Sequence, residues 1–482
     1  MRYLYIDVDS LRAAQLGCYG YPRPTSPTLD RLAAEGVRFE HCYVSDAPCL
    51  PSRSALALGR FGLRSGVVNH GGLVSEPFPL GPRRGFSGAP GFETLFQAFR
   101  RAEYYPASIT PFPNRHVAPW FTLGLREWHN TGKGGFELAH EVNAVAEPWL
   151  EAHARQDRWF LHVNYWDAHT PYRLSDELPN PFDGFPEPEW PTPEVLEAHW
   201  NSYGPNSAQD SPGVWAKQVP RAGVPHQIRT RADLRAWIAA YDMGIRYVDD
   251  HVARLLAVLE RQGVLGETVV VISADHGENQ GEHNVYGDHQ TACSHTSRVP
   301  FIVRGPGFEG GRVNRGLHYQ FDLMATLLKH AGGEVPAGWD ARPLASPDDP
   351  GRPALVVSQM AWTCQRSVRW GKHLMTRTYH DGYKELPELA LYDLEADPHE
   401  EHDLAGSEPA LVAEGLRILD EWKHALLQDT QAPEPYDPMY VVLREGGPWQ
   451  VRGRLRWFVE HLRRTGRAHH AAALERRHRR EL

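Results

Sequence analysis

The chain has 482 residues, 41% of them hydrophobic and 23% charged, and carries a formal net charge of -9. That length allows a large core and two domains, and the mild acidity gives no reason to expect nucleic acid or a membrane surface as partner. Met1-Arg2 leads straight into a strand-like run rather than a secretory leader, no apolar run is long enough to span a bilayer, and the five scattered cysteines lack disulfide or zinc spacing, so the expected location is cytoplasmic.

The first strand, Tyr3 to Ile6, ends in Asp7-Val8-Asp9-Ser10. Side chains alternate along a strand, so Asp7 and Asp9 face the same way at its carboxyl end. Ligands gather there in open α/β sheets, and two same-side carboxylates suit a metal. Next, Cys49-Leu50-Pro51-Ser52-Arg53 opens an apolar run to Gly59. Pro51 fits a first helical turn, which sets Cys49 at a helix N-terminus with free N–H donors and Arg53 roughly a turn further on. Cys49 reads either as a small buried hydrophobe or as a nucleophile beside an arginine. A Gly-rich stretch from Gly59 to Gly91, containing Asn69-His70-Gly71-Gly72 and Arg83-Arg84, has the character of a site mouth. A helix over Phe92 to Arg101 and a strand at Ala107 to Thr110 then lead to Asn114-Arg115-His116.

Trp159 to Tyr165 is a compact apolar run suited to a buried strand, followed by Trp166-Asp167-Ala168-His169-Thr170-Pro171. Leu178 to Gln227 is rich in proline and aromatics, including Trp190, Trp200 and Trp215, and reads as a packed insertion over the site face. Thr230-Arg231-Ala232-Asp233 has the form of a capping box. Apolar residues at helical spacing follow from Ile238 to Leu259, ended by Gly263. That helix delivers the buried strand Thr268 to Ser273, with Asp275-His276 just past its carboxyl end, a second group suited to a metal beside Asp9. A Pro/Asp/Gly-rich break at Asp340 to Pro353 separates this region from short strand-like pieces at 354–357, 364–369 and 373–376. The arginine-rich end from Arg452 to Leu482 reads as a solvated helical tail.

Cys49-Leu50-Pro51-Ser52-Arg53 resembles the Cys-x-Pro-Ser-Arg signature of type I sulfatases, in which the cysteine is oxidised to formylglycine (3-oxoalanine). Further motifs fall in family order: Leu16-Gly17-Cys18-Tyr19-Gly20, Thr25 to Ala33, the His-x-Pro element at His169, the Asp-His pair at Asp275-His276, Arg298 to Gly307, and Tyr392-Asp393-Leu394 through Asp397-Pro398. The resemblance implies an α/β fold of the alkaline phosphatase-like superfamily, a mixed sheet flanked by helices with a smaller C-terminal antiparallel-sheet subdomain. The expected division is residues 1–345 for the catalytic domain and 346–482 for the subdomain. Asp9, Asp275, His276 and the residue at Cys49 match the metal set. Ser10 falls where many members carry another aspartate, and Asp7 is taken as its replacement. Calcium is the expected ion, with manganese open.

The same resemblance makes Cys49 the precursor of the nucleophile, Arg53 its charge partner and His169 the general acid for the leaving alcohol. The chain departs from the family in two places. Arg115-His116 stands where many members have Lys-x-His, and Asp288 stands where many have a sulfate-binding lysine. Arg115, His289 and His295 are therefore the candidate sulfate contacts, and His116 a candidate base. The expected activity is hydrolysis of sulfate esters of a small molecule or carbohydrate, after maturation by a formylglycine-generating enzyme. Two rivals remain: a phosphonate monoester or phosphodiester hydrolase on the same scaffold, and a catalytically silent metal- or glycan-binding relative. A phosphomutase has no use for Cys-x-Pro-Ser-Arg.

Overall fold

The structure, a computed structural model, describes residues 1–78, 93–174, 178–186, 188–211, 221–428 and 436–482. Arg83, Arg84, Gly91, Phe92 and Trp215 lie outside the described residues. The first strands are β1 (Arg2–Val8), β2 (Val37–Tyr43), β3 (Asp46–Ala47), β4 (Tyr105–Ile109), β5 (Glu127–His129), β6 (Trp159–Tyr165) and β7 (Thr268–Ser273). After them come β8 (Asn279–Gln280), β9 (Tyr286–Asp288), β10 (Arg298–Val299), β11 (Phe301–Arg304) and β12 (Arg312–Tyr319). The remaining strands are β13 (Ala354–Gln359), β14 (Cys364–Trp370), β15 (His373–His380) and β16 (Leu389–Asp393).

Nine of these strands form one mixed sheet in the order β10-β2-β11-β7-β1-β6-β4-β5, with β12 pairing β2. At its centre β7, β1 and β6 run parallel, while β11 lies antiparallel to β7. Every residue of β1, β6 and β7 is buried, as expected for strands covered by helices on both faces. Polar side chains in such strands have no water to meet, so each needs a protein partner or a ligand. Asp7, His162, Asn164 and Ser273 are polar residues of this kind, and the parallel register sets Asp7 between Asn164 and Ser273.

The helix Arg231–Arg261 is the longest among the described residues and packs on the helices Ala139–His153 and Pro27–Glu35. It starts as the sequence suggests: Thr230 accepts from the Asp233 backbone N–H at 3.2 Å, and Asp233 accepts from the Thr230 N–H at 2.8 Å. Further along, Asp249 accepts from the N–H groups of Thr28 and Leu29 at 2.9 Å. A carboxylate from one helix thus satisfies the free N-terminal donors of the helix Pro27–Glu35.

The second sheet has the order β16-β15-β14-β13-β3. Strands β13 to β16 are antiparallel, but β3 joins β13 in parallel. The smaller sheet is therefore completed by a strand from residue 46–47, two positions before Cys49. The C-terminal arginine-rich segment departs from the expected solvated tail. It forms the helices Leu455–Arg464 and Ala468–Arg477, and Leu455, Phe458, Val459, Leu462, Ala471 and Leu474 pack with Tyr203, Trp362 and Tyr383 in a separate small core. Arg467 is drawn into the same contact by Asp210, at 2.8 Å. Burial of one apolar stripe outweighs the exposed arginines of the other face.

Candidate active site

Cys49 is the first residue of the helix Cys49–Leu58, all of whose residues are buried. Its Sγ lies 3.2 Å from His276 Nε2. The other ring nitrogen of His276, Nδ1, is 2.8 Å from the Gly277 carbonyl. Nδ1 must therefore carry the proton and donate, which leaves the Nε2 lone pair facing Cys49 and Asp275. Burial pushes the imidazole down to about 4, so it is neutral. Asp9, Cys49, Asp275 and His276 bring one ligand atom each to within 4.8 Å of one another.

Arg53 lies behind this quartet, 2% exposed. Its Nε donates to Asp7 at 2.7 Å, and its Nη1 donates to Asp9 at 2.9 Å and to Asp275 at 2.7 Å. Three buried carboxylates thus converge on one guanidinium. Burial, Asp9 and Asp7 push the Asp275 carboxyl well up. Asp7 Oδ1 has no hydrogen-bond partner. The formal excess of two negative charges, with a neutral imidazole lone pair beside it, fits a divalent cation. Asp7 is not one of the quartet. Its Oδ2 is taken by Arg53 and lies 3.5 Å from His162, which leaves the unpartnered Oδ1 as the atom for the ligand role expected of Asp7. His162 in turn contacts Ser108 at 2.8 Å, so a Ser108–His162–Asp7 chain steadies Arg53.

Burial and the Asp9 and Asp275 carboxylates raise the Cys49 thiol well above its usual range. An unmodified Cys49 is thereby held as a thiol, the form that is neither nucleophile nor strong ligand.

A ring of imidazoles covers the quartet. His169 Nδ1 contacts the Thr170 carbonyl, and its Nε2 lies 3.9 Å from Asp9. His289 packs on His276 at a centroid distance of 3.9 Å and on His169 at 5.6 Å. His289 Nδ1 has no hydrogen bond, and burial, with His276, His169, His70 and Arg115 close by, holds the ring well below its usual pKa. His116 and His70 pair at 5.1 Å. His116 Nε2 is buried without a partner, whereas His70 Nε2 receives the Leu50 N–H at 3.4 Å. Arg115 donates to the Gly134 carbonyl at 2.7 Å and lies 4.7 Å over the Trp166 ring; its charge acts on Asp9, His70, His169 and His289.

Asp288 faces elsewhere. It accepts from Asn206 at 3.1 Å and Gln290 at 3.0 Å, and burial raises its carboxyl to about 6. His295 stands apart from the quartet: its Nε2 lies 2.6 Å from the Pro398 carbonyl and 3.5 Å from Glu282. It is not brought to Cys49, because residues 290–294 turn the chain away after His289. The sequence places His70 only in a mouth-like stretch and assigns no site role to His162 or Lys384, the last being a buried lysine that donates to the Pro205 carbonyl. A histidine inside the apolar run Trp159–Tyr165 was the available signal for His162.

Residues 2–333 match the family model described as Sulfatase. An ulvan-active sulfatase of Formosa agariphila is 25% identical, over 84% of this chain and 76% of that protein. An N-acetylgalactosamine-6-sulfatase of Sus scrofa is 29% identical, over 69% of this chain and 63% of that protein. Among solved structures, a phosphonate monoester hydrolase of Agrobacterium radiobacter superposes with a TM-score of 0.66 at 20% identity, covering 88% of this chain and 96% of that one. A 2-O GAG sulfatase gives 0.66 at 22%, covering 89% and 92%. These two likenesses concern the fold, which is that of the alkaline phosphatase-like superfamily. Among the described residues no helix is long and apolar enough to cross a membrane. With a family model matched across two thirds of the chain, and its strand-end carboxylates gathered on Cys49 and Arg53, the chain belongs to the sulfatase family and is a sulfatase enzyme.

Proposed function

We propose that the protein hydrolyses sulfate monoesters of carbohydrates, with Cys49 matured to formylglycine and a divalent cation held by Asp9, Asp275, His276 and residue 49. The observation that carries this reading is the convergence of those four residues in front of Arg53. The oxygen-rich set suits calcium, and the single imidazole keeps manganese in play. When present, the two groups supply a hydrated aldehyde as nucleophile and polarisation of a sulfate oxygen.

The chain's own residues do the rest. Arg53 fixes the three carboxylates and offsets charge gathering beside residue 49. Arg115 and His289 face the space where sulfate oxygens sit, in place of the lysine that Asp288 displaces. His169, whose Nδ1–H is held by the Thr170 carbonyl, gives a proton from Nε2 to the departing alcohol only in its imidazolium form, which the Asp9 carboxylate 3.9 Å away favours against burial. His116 takes a proton at its unpartnered Nε2 as position 49 is regenerated. The carbohydrate class rests on relatives whose names specify ulvan and amino-sugar sulfates. Formylglycine formation requires a generating enzyme as maturation partner.

The test is the mass of the tryptic peptide Phe39–Arg53, from protein made with and without a formylglycine-generating enzyme. A loss of about 18 Da that tracks activity on 4-nitrophenyl sulfate supports the reading. A persistent thiol in active protein overturns it. The absent lysine also favours a second reading, phosphonate or phosphodiester hydrolysis on the same scaffold. Ratios of kcat/KM for matched sulfate and phosphonate esters decide between them.

A further inference from the structure

We infer that the cavity in the seam between the two sheets is a second binding site, which takes a carboxylate- or sulfate-bearing sugar away from the scissile ester. This rests on the carbohydrate sulfatase reading above. The cavity is about 960 Å³, and none of the residues gathered around Cys49 lines it. One wall comes from the large sheet, with His41 and Tyr43 of β2 and Arg315 of β12. Facing it is Arg369 of β14, and Trp190 of the proline-rich insertion forms another part.

Arg369 is the centre of the argument. It is 5% exposed, and its Nη1 reaches only backbone carbonyls, those of Gly371 and His373. Its Nε–H is buried with no partner. Among the described residues no carboxylate lies within ion-pair distance of it. A buried guanidinium with a missing hydrogen bond and no counter-charge is costly, and an oxyanion repairs both deficits. His41 contributes a second unpartnered buried nitrogen, Nδ1, into the same region. Burial, Arg298 and Arg369 push its pKa down to about 4, so near neutral pH the ring is an uncharged hydrogen-bonding group.

The other charges are already settled or screened. Arg298 is paired with Glu40 at 2.7 Å, and Arg12 with Glu282 at 2.7 Å. Glu189 and Glu395 also line the cavity, but both are exposed, where water weakens their effect. Arg315 is exposed at the opening. The volume is far larger than a bare sulfate ion requires and falls at the upper end of the range for organic ligands, about 300–1,000 Å³. Trp190, half-buried, offers apolar surface for a ring and is already stacked on His399 at 3.9 Å. A ring-shaped body with a negative group fits both halves of this lining.

The test uses the full-length Cys49→Ala protein, titrated calorimetrically with a chondroitin 6-sulfate disaccharide and separately with inorganic sulfate. Two sites for the disaccharide are expected. Arg369→Gln and, independently, the surface change Arg315→Glu each weaken one of them by about tenfold, the scale of a lost charge-assisted contact. In the matured enzyme, Arg315→Glu leaves kcat/KM on 4-nitrophenyl sulfate unchanged and raises KM for sulfated oligosaccharides. A single disaccharide site that neither variant alters overturns the inference. So does a second site that takes inorganic sulfate and excludes the disaccharide. Failure to cleave 4-nitrophenyl sulfate counts against the proposed function instead, and leaves the titration readable.

Discussion

Arg53→Ala removes the one cation that three buried carboxylates share. Breaking a buried ion pair from one side costs about 3–5 kcal/mol, because the partners stay buried and uncompensated. Arg53 satisfies Asp7, Asp9 and Asp275 at once, so the upper half of that range applies. With a urea m-value of about 3 kcal/mol per M, the unfolding midpoint falls by about 1.3–1.7 M at pH 7 in the presence of a chelator. Millimolar calcium narrows the gap, since a divalent cation supplies the missing charge. Acid narrows it as well. Asp7 and Asp9 are held below the usual carboxylate range by Arg53, so the stability they lend is present above the unfolded value near about 4 and is lost as pH falls below it. Arg53→Lys restores charge without the fork and recovers only part of the loss. Tryptophan fluorescence in urea reads all of these. A midpoint for Arg53→Ala within about 0.3 M of wild type, a difference below ~1 kcal/mol, would refute the argument.

Other outcomes follow from the same geometry. His169→Gln lowers kcat by about 10²–10⁴-fold on alkyl sulfates, whose leaving groups need a proton, and much less on 4-nitrophenyl sulfate, whose leaving group does not; equal losses on both would remove His169 from that role. Lys384 is buried, and burial depresses its pKa to about 7. The unfolded chain, with a lysine near about 10.4, binds more protons between those values, so this group makes stability rise with pH across that window. Lys384→Met flattens that rise in a series of urea melts, and an unchanged slope would contradict it. Phe458→Ala, in the fully buried stripe of the C-terminal helices, costs about 3–5 kcal/mol. Limited proteolysis should then cut first between residues 450 and 482, and a wild-type digestion pattern would show that these helices dock by other contacts.

The central sheet was legible because strands buried on both faces must be written as apolar runs, as in Trp159–Tyr165 and Thr268–Ser273. The strand-end positions of Asp9 and Asp275-His276 followed from the same runs. What stayed hidden depends on partners far away in the chain. Arg53 claims one oxygen of Asp7 across 46 residues, and no local pattern announces that contact. His70 and His162 join the site through loops and register. His289 and His295 are six positions apart and looked interchangeable, but one turn sends the second to Glu282 and Pro398. The C-terminal helices were misread because arginine density hid an apolar stripe whose partners, Tyr203 and Tyr383, lie in other segments.

The parallel pairing of β3 with β13 also sets a clock. Cys49 is 2% exposed in the folded chain, and the pairing two residues before it needs residues up to Gln359, roughly 310 positions further along the chain. At about 5–20 residues per second, a ribosome takes about 15–60 s to deliver them. Under the proposed maturation, an enzyme that oxidises Cys49 has to reach it on a nascent or unfolded chain. The expected outcome is that slowed elongation between residues 50 and 359 raises the fraction of the peptide carrying the loss of about 18 Da, and that folded protein is not converted.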